Sequence, residues 1–277
     1  MPFQIWMEKK DSPMGNNPPT LVDSHAHLEM ADFRKDLEEV IRRAKDAGVD
    51  TIFTVGTEKK DWSRALEIAE SHDSIYAILG VHPHNAKEID DHTYPALLKL
   101  CRHKKVKAFG EIGLDFFRNL SPREIQLQRF REQINLARDL GLPIVVHDRD
   151  AHRETLEILK SEKAEECGGV IHCFSGDDEM AKKCLEMGFF ISIPGTITFK
   201  NADVFKEIVR RLPLESLLVE TDAPYLTPIP FRGKRNEPSY VRYTAEKVAE
   251  VKKVSFEKVA EATTQNALRV FRLNDRA

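Results

Sequence analysis

The sequence predicts an α/β fold, a (β/α)8 TIM-type barrel of eight parallel strands, and three observations carry that prediction. From residue 20 onward, short apolar runs alternate with amphipathic stretches, and eight such units fit in the about 250 residues that this barrel uses. The runs are almost wholly apolar, as strands buried on both faces under helices must be. Ionisable residues gather at the C-terminal ends of the runs, where such a barrel keeps its chemistry. The alternative, an open doubly wound sheet, calls for a glycine-rich phosphate loop after the first strand, and none follows it here.

Taken in order, residues 1–19 (MPFQIWMEKKDSPMGNNPP) keep neither a helical nor a strand period and read as a flexible N-terminal extension; residues 20–277 read as one barrel domain. The expected strands cover 20–25, 51–56, 75–81, 106–113, 142–147, 169–174, 189–195 and 217–222. Helix signals between them are local. Ser121 reads as an N-cap, with Pro122 at the first helical position and Glu124 completing a capping box; Ile125, Phe130, Ile134 and Ala137 share a face, and Gly141 stops the helix. Asn201 reads as the cap of a helix turning Val204, Phe205, Ile208 and Val209 to the core. Ser255 caps a final segment carrying Phe256, Val259, Leu268 and Phe271.

Bulk composition excludes more than it selects. Lysine plus arginine at 42 against aspartate plus glutamate at 45 leave a net charge of -3, so no global basic field points to nucleic acid, and any polyanion must be held locally. Cys101, Cys167, Cys173 and Cys184 show no C-x-x-C spacing and fit reduced thiols in a cytoplasmic setting better than a disulfide framework. No apolar run approaches membrane-spanning length, and Met1 to Met7 lacks the basic start and apolar core of a secretion signal. Neither a membrane nor a protein partner is expected.

The chemistry is expected at the strand ends. The first run closes as Leu-Val-Asp-Ser-His-Ala-His-Leu, residues 21–28, and strict alternation would put Asp23, His25 and His27 on one face, with two imidazoles making half a metal site. The fourth run carries Glu111, the fifth ends in His147, the sixth near His172 and the eighth in Asp222. Core packing does not account for strand ends occupied only by histidine and carboxylate. Barrel closure then sorts them: the last strand neighbours the first, so Asp222 falls beside His25 and His27, while Glu111, His147 and His172 form a second group that Glu111 can bridge to the first. Two divalent cations, on the order of 3.5–4 Å apart, would hold a hydroxide and clamp a phosphoryl or acyl oxygen. One ion with the other groups as base and support is the alternative. Asp222 is given a double role as ligand and general acid/base, with Glu111 as the second catalytic carboxylate. The donor set leaves Mg, Mn and Zn open. Glu220 is expected to support the centre, and Cys173, alternating away from His172, to pack.

The segments DSHAHL at 23–28, GVHPH at 80–84, GEIGLD at 110–115, VVHDRDA at 145–151, HCFSG at 172–176, ETDAPYL at 220–226 and RGKRNEP at 232–238 follow one another in order. This series resembles that of the TatD family of metal-dependent deoxyribonucleases, within the amidohydrolase-like barrels. The resemblance implies a divalent two-metal centre held by His25, His27, Glu111, His147, His172 and Asp222, a cytoplasmic location, and hydrolysis of nucleic-acid phosphodiesters, commonly 3′ to 5′ on single-stranded DNA. Phe116 and Phe117 stand where many members place tyrosine, which removes possible hydroxyl contacts with substrate.

Candidate substrate residues are His82 and His84, for a phosphate contact or a structural hydrogen bond, and Arg149, for a phosphate or for a salt bridge with Asp148 or Asp150. Arg232 and Lys234, with Arg235 and Arg242, make the one dense basic patch and could clamp a polyanion. His72, His92, His103 and His152 read as surface groups. The competing function is an amidohydrolase or esterase acting on a small molecule or on aminoacyl-tRNA ester ends. A lysine bridging two metals would favour it, but the fourth strand offers Glu111.

Overall fold

All eight expected strands form. In the computed structural model, which describes residues 20–273, they are β1 (Leu21–Ala26), β2 (Val49–Gly56), β3 (Ile75–Leu79), β4 (Val106–Asp115), β5 (Ile144–Arg149), β6 (Gly169–Ile171), β7 (Phe189–Ile193) and β8 (Leu217–Val219). They pair in parallel and in sequence order. Helices α1 (Leu37–Asp46), α2 (Lys59–Ser71), α3 (Thr93–Cys101), α4 (Arg123–Leu140), α5 (His152–Ser161), α6 (Asp178–Glu186) and α7 (Asp203–Arg211) fill the crossovers, and α8 (Val241–Lys252) and α9 (Phe256–Val270) follow β8. The extension expected over residues 1–19 lies outside the described residues. No helix among the described residues is long and apolar enough to cross a membrane.

Alternation divides each strand between two apolar layers. Leu21, Ile52, Phe109 and Val146 pack against the helices, whereas Val22, Phe53, Ile78, Ala108, Val145, Val170 and Leu218 fill the barrel interior. The end of α9 seals that interior from below, with the Phe271 ring 3.9 Å from the ring of Phe53. The C-terminal end is left to polar groups.

The barrel closes where β1 meets the segment after β8. Ala26 and Ala223 form a parallel bridge, the His27 N–H donates to the Ala223 carbonyl at 2.7 Å, and the Asp222 N–H donates to the His25 carbonyl at 2.9 Å. This seam sets Asp222 beside the two first-strand histidines.

Two local expectations hold as stated. Gly141 ends α4 at φ 66°, and the Ser255 hydroxyl accepts from the Lys258 N–H. Ser121 does not cap α4. It is buried, its hydroxyl donates to the His84 carbonyl at 2.8 Å and accepts from the Lys87 N–H, and the exposed Glu124 completes no capping box. Asn201 does not cap α7 either: Ala202 holds that position. Val204, in the first turn before the inward face of α7 is engaged, is 78% exposed instead of buried.

Candidate metal centre

At the C-terminal mouth, His25 Nε2 lies 3.3 Å from His27 Nε2, 3.4 Å from Glu111 Oε2 and 3.9 Å from Asp222 Oδ1, while His27 Nε2 lies 3.4 Å from Asp222 Oδ1. The other oxygen of Glu111 faces the far side, 2.6 Å from His147 Nδ1 and 3.5 Å from both His172 Nε2 and His82 Nε2. Glu111 thus spans two donor groups, one of His25, His27 and Asp222, the other of Glu111, His147 and His82. His172 stands between them, its ring 3.6 Å from that of His25 and its Nε2 4.0 Å from Asp222 Oδ1.

The chemistry of the donors fits cations. Tetrahedral nitrogen and oxygen ligands held at roughly 2.0–2.1 Å from an ion stand about 3.3 Å apart, close to two of the three spacings in the first group, the third being 3.9 Å. Three of the four outward nitrogens have partners, and the fourth, His25 Nδ1, is buried without one among the described residues. His27 Nδ1 donates to the Val55 carbonyl at 3.1 Å with Glu29 at 3.3 Å, His172 Nδ1 donates to Glu220 at 3.0 Å, and His147 Nε2 donates to Asp115 at 3.2 Å. Each bond fixes the ring and turns the opposite nitrogen's lone pair into the centre, the arrangement of metal-binding histidines. His82 has the reverse tautomer: its Nδ1 accepts the His84 N–H at 3.1 Å, so its proton sits on Nε2 toward Glu111. His82 is therefore built as a hydrogen-bond donor rather than a ligand.

Electrostatics agree. Burial works against charge on every group, yet the carboxylates prevail: Asp222 and Glu29 hold His27 well above its ordinary value, Asp115 and Glu111 raise His147 to about 10, and Glu220 and Glu111 raise His172 to about 9. Burial would also raise Glu111, but His172 and His82 hold it well below the carboxylate range. His25 is lowered by burial and by His172. Positive charge is wanted here, and protons or cations can supply it.

Several expectations need correcting. β1 carries a bulge between Asp23 and Ala26, so strict alternation fails there. Asp23 leaves the histidines and accepts the Thr221 hydroxyl at 2.6 Å and the Thr221 N–H at 2.9 Å; burial pushes its carboxyl up to about 8. Cys173 does not alternate away, because β6 ends at Ile171 and Cys173 sits at φ 45°, which brings its sulfur among the donor atoms of His172 and Asp222. In the basic patch, Arg235 is paired with Asp36 at 2.6 Å and Arg242 with Glu246 at 2.9 Å. Arg232 and Lys234 instead lie over the rings of Phe199 and Phe231. Arg149 makes neither expected salt bridge: Asp148 takes His152 at 2.5 Å, and the Arg149 guanidinium lies 5.2 Å from the Phe117 ring.

Three residues at the centre escaped the sequence reading. Asp115 holds both His147 and His84, the latter at 2.8 Å. A bulge at Glu111 leaves Glu111, Gly113 and Asp115 on the inner side of β4, while Ile112 and Leu114 face the helices; running the fourth strand two residues further would have found Asp115. Glu29 is buried, accepts from the Thr54 hydroxyl at 3.1 Å and orients His27, a link across 25 residues with no local signal. Tyr225, 51% exposed, edges the His27 ring at 6.3 Å.

Comparison with known proteins places this geometry. The family described as TatD related DNase matches residues 22–272. The chain is 49% identical over 254 residues to YabD of Bacillus subtilis, an uncharacterized metal-dependent hydrolase, covering 92% of this chain and all of that one. It is 36% identical over 259 residues to a 3′-5′ ssDNA/RNA exonuclease TatD of Erwinia tasmaniensis, covering 91% and 100%. The crystal structure of the TatD homolog YJJV from Escherichia coli superposes with a TM-score of 0.87 at 33% identity, covering 91% and 98%.

Proposed function

The chain belongs to the TatD family of metal-dependent hydrolases, and from that premise we propose that it hydrolyses phosphodiester bonds of single-stranded DNA from the 3′ end, in the cytoplasm, with two divalent cations per chain. The observation that carries this reading is Glu111 standing between two donor groups, with His25, His27 and Asp222 on one side and His147 and His172 on the other. Once bound, the cations would acidify a water and take up charge from the phosphoryl oxygens. The relative of that name from Erwinia tasmaniensis supports the choice of substrate.

The protein's own groups have separable tasks. Asp222 is the most open carboxylate of the centre, with its side chain 14% exposed against 4% for Glu111. Burial would raise it, but His27 and His172 hold it below the ordinary carboxylate range, so it is ionised and able to accept a proton from the attacking water. Glu111 holds the two halves in register. His82, with its Nε2–H aimed inward, and Arg149 at the rim donate to phosphate oxygens.

The test uses chelated protein given Mg, Mn or Zn, with 3′-blocked and 5′-blocked single-stranded oligonucleotides. Turnover that requires the cation and stops at a blocked 3′ end is expected. Turnover of amides or carboxylic esters with no cleavage of any oligonucleotide would overturn the reading.

A further inference from the structure

Beside the centre, off the ends of β5, β6 and β7, lies a groove of about 360 Å3 lined by Arg149, Phe174, Thr196, Phe199, Val204 and Phe205 among others. That volume is at the small end of ligand pockets. Its wall is mostly apolar, with Ser175, Thr196 and Asn201 among the lining, and Arg149 lines it while Arg232 reaches it through Phe199. The Arg232 guanidinium lies 4.1 Å from the Phe199 ring on one rim, and Arg149 lies beside the exposed ring of Phe117 on the other. Among the described residues neither guanidinium has a carboxylate partner, whereas Arg43, Arg211 and Arg235 do. Val204, 78% exposed, adds an open apolar face. A flat ring flanked by two anions complements such a surface, and a nucleotide strand supplies both: bases stack on apolar and aromatic side chains while arginine tracks the phosphates.

We propose that this groove is a nucleobase subsite. It takes the base of the nucleotide next to the scissile phosphate of a single strand, against Phe199 and Val204, with the neighbouring phosphates at Arg149 and Arg232. The proposal rests on the nuclease reading and adds a direction to it: the strand leaves the centre across β5, β6 and β7 rather than across β2 and β3.

The experiment compares kcat/KM for a single-stranded tetranucleotide with that for the p-nitrophenyl ester of a mononucleotide, in the manganese-loaded full chain and in Phe199→Ala, Phe199→Trp and Val204→Asp. One stacked base is worth on the order of tenfold. The wild-type preference for the tetranucleotide is expected to be of that size, to collapse in Phe199→Ala and Val204→Asp, and to persist in Phe199→Trp. Anisotropy of a labelled phosphorothioate tetranucleotide should weaken in the same two variants. An unchanged ratio in both overturns the subsite, and so does an equal loss on both substrates. Cleavage of the ester with no preference for the tetranucleotide in the wild type sinks the subsite and spares the phosphodiesterase reading; cleavage of neither sinks both.

Discussion

The Nε2–H of His147 points at the Asp115 carboxylate, 3.2 Å away, and the opposite nitrogen of the same ring faces Glu111 at 2.6 Å. Removing the outer partner frees the ring to turn and weakens its basicity. Asp115→Ala is therefore expected to lower the affinity for one of the two proposed cations by roughly 10–100-fold and to leave the other, at His25, His27 and Asp222, near its original value. Calorimetric titration of the chelated protein with Mn or Zn resolves the two; equal weakening of both contradicts the assignment.

Glu111→Ala removes the carboxylate whose two oxygens face the two halves of the centre. Bound metal per chain should fall below that of the wild type, and oligonucleotide turnover should drop by roughly a hundredfold or more, the scale on which removal of a single transition-state contact acts. A variant that kept half its turnover at full metal content would show that the bridge is dispensable.

The Glu237 carboxylate accepts from Arg43 Nη2 at 2.6 Å and from the Ser239 hydroxyl at 2.6 Å. Burial would raise Glu237, but Arg43 and Ser239 hold it below the ordinary carboxylate value. Because the folded value is the lower one, this group stabilises the fold above the unfolded value near 4.5 and loses that contribution as pH falls through the folded value. Glu237→Gln should lower stability by about 1–2 kcal/mol at pH 7, with the gap to wild type closing below pH 4.5. Urea unfolding at a series of pH values measures it, and a gap that widened in acid would reverse the sign.

Gly113 sits at φ +140°, where an added Cβ would fall 2.0 Å from the His147 carbonyl oxygen. Gly113→Ala must push β4 off β5 at the level of Glu111 and His147. A loss on the order of 3 kcal/mol or more is expected, read as a lower melting temperature and lower metal content; an unperturbed melting curve would argue against the close approach.

The barrel, and the gathering of His25, His27, Glu111, His147, His172 and Asp222 at its mouth, were legible in the sequence because both depend on short-range pattern: apolar runs of strand length, and histidine or carboxylate at or just beyond the ends of those runs. What could not be read locally depends on contacts across the barrel. Glu29 matters through Thr54 and His27, and Ser121 gives up its helix to bond the loop of His84. Asp23 and Cys173 were misread for one reason, that alternation holds only inside a regular strand, and β1 bulges before Ala26 while β6 stops at Ile171. In the basic patch, composition alone could not separate Arg235, neutralised by Asp36, from Arg232, stacked on Phe199.

The seam between β1 and the residues after β8 makes the centre depend on both ends of the barrel. The strands neighbour one another in chain order, so His25 and His27, at the end of the first of them, meet residues from after the last only across this seam. Asp222, the carboxylate assigned to receive the proton, comes from the segment after β8. A fragment ending before residue 217 lacks Asp222, and on the proposed reading it is expected to leave polynucleotides uncut.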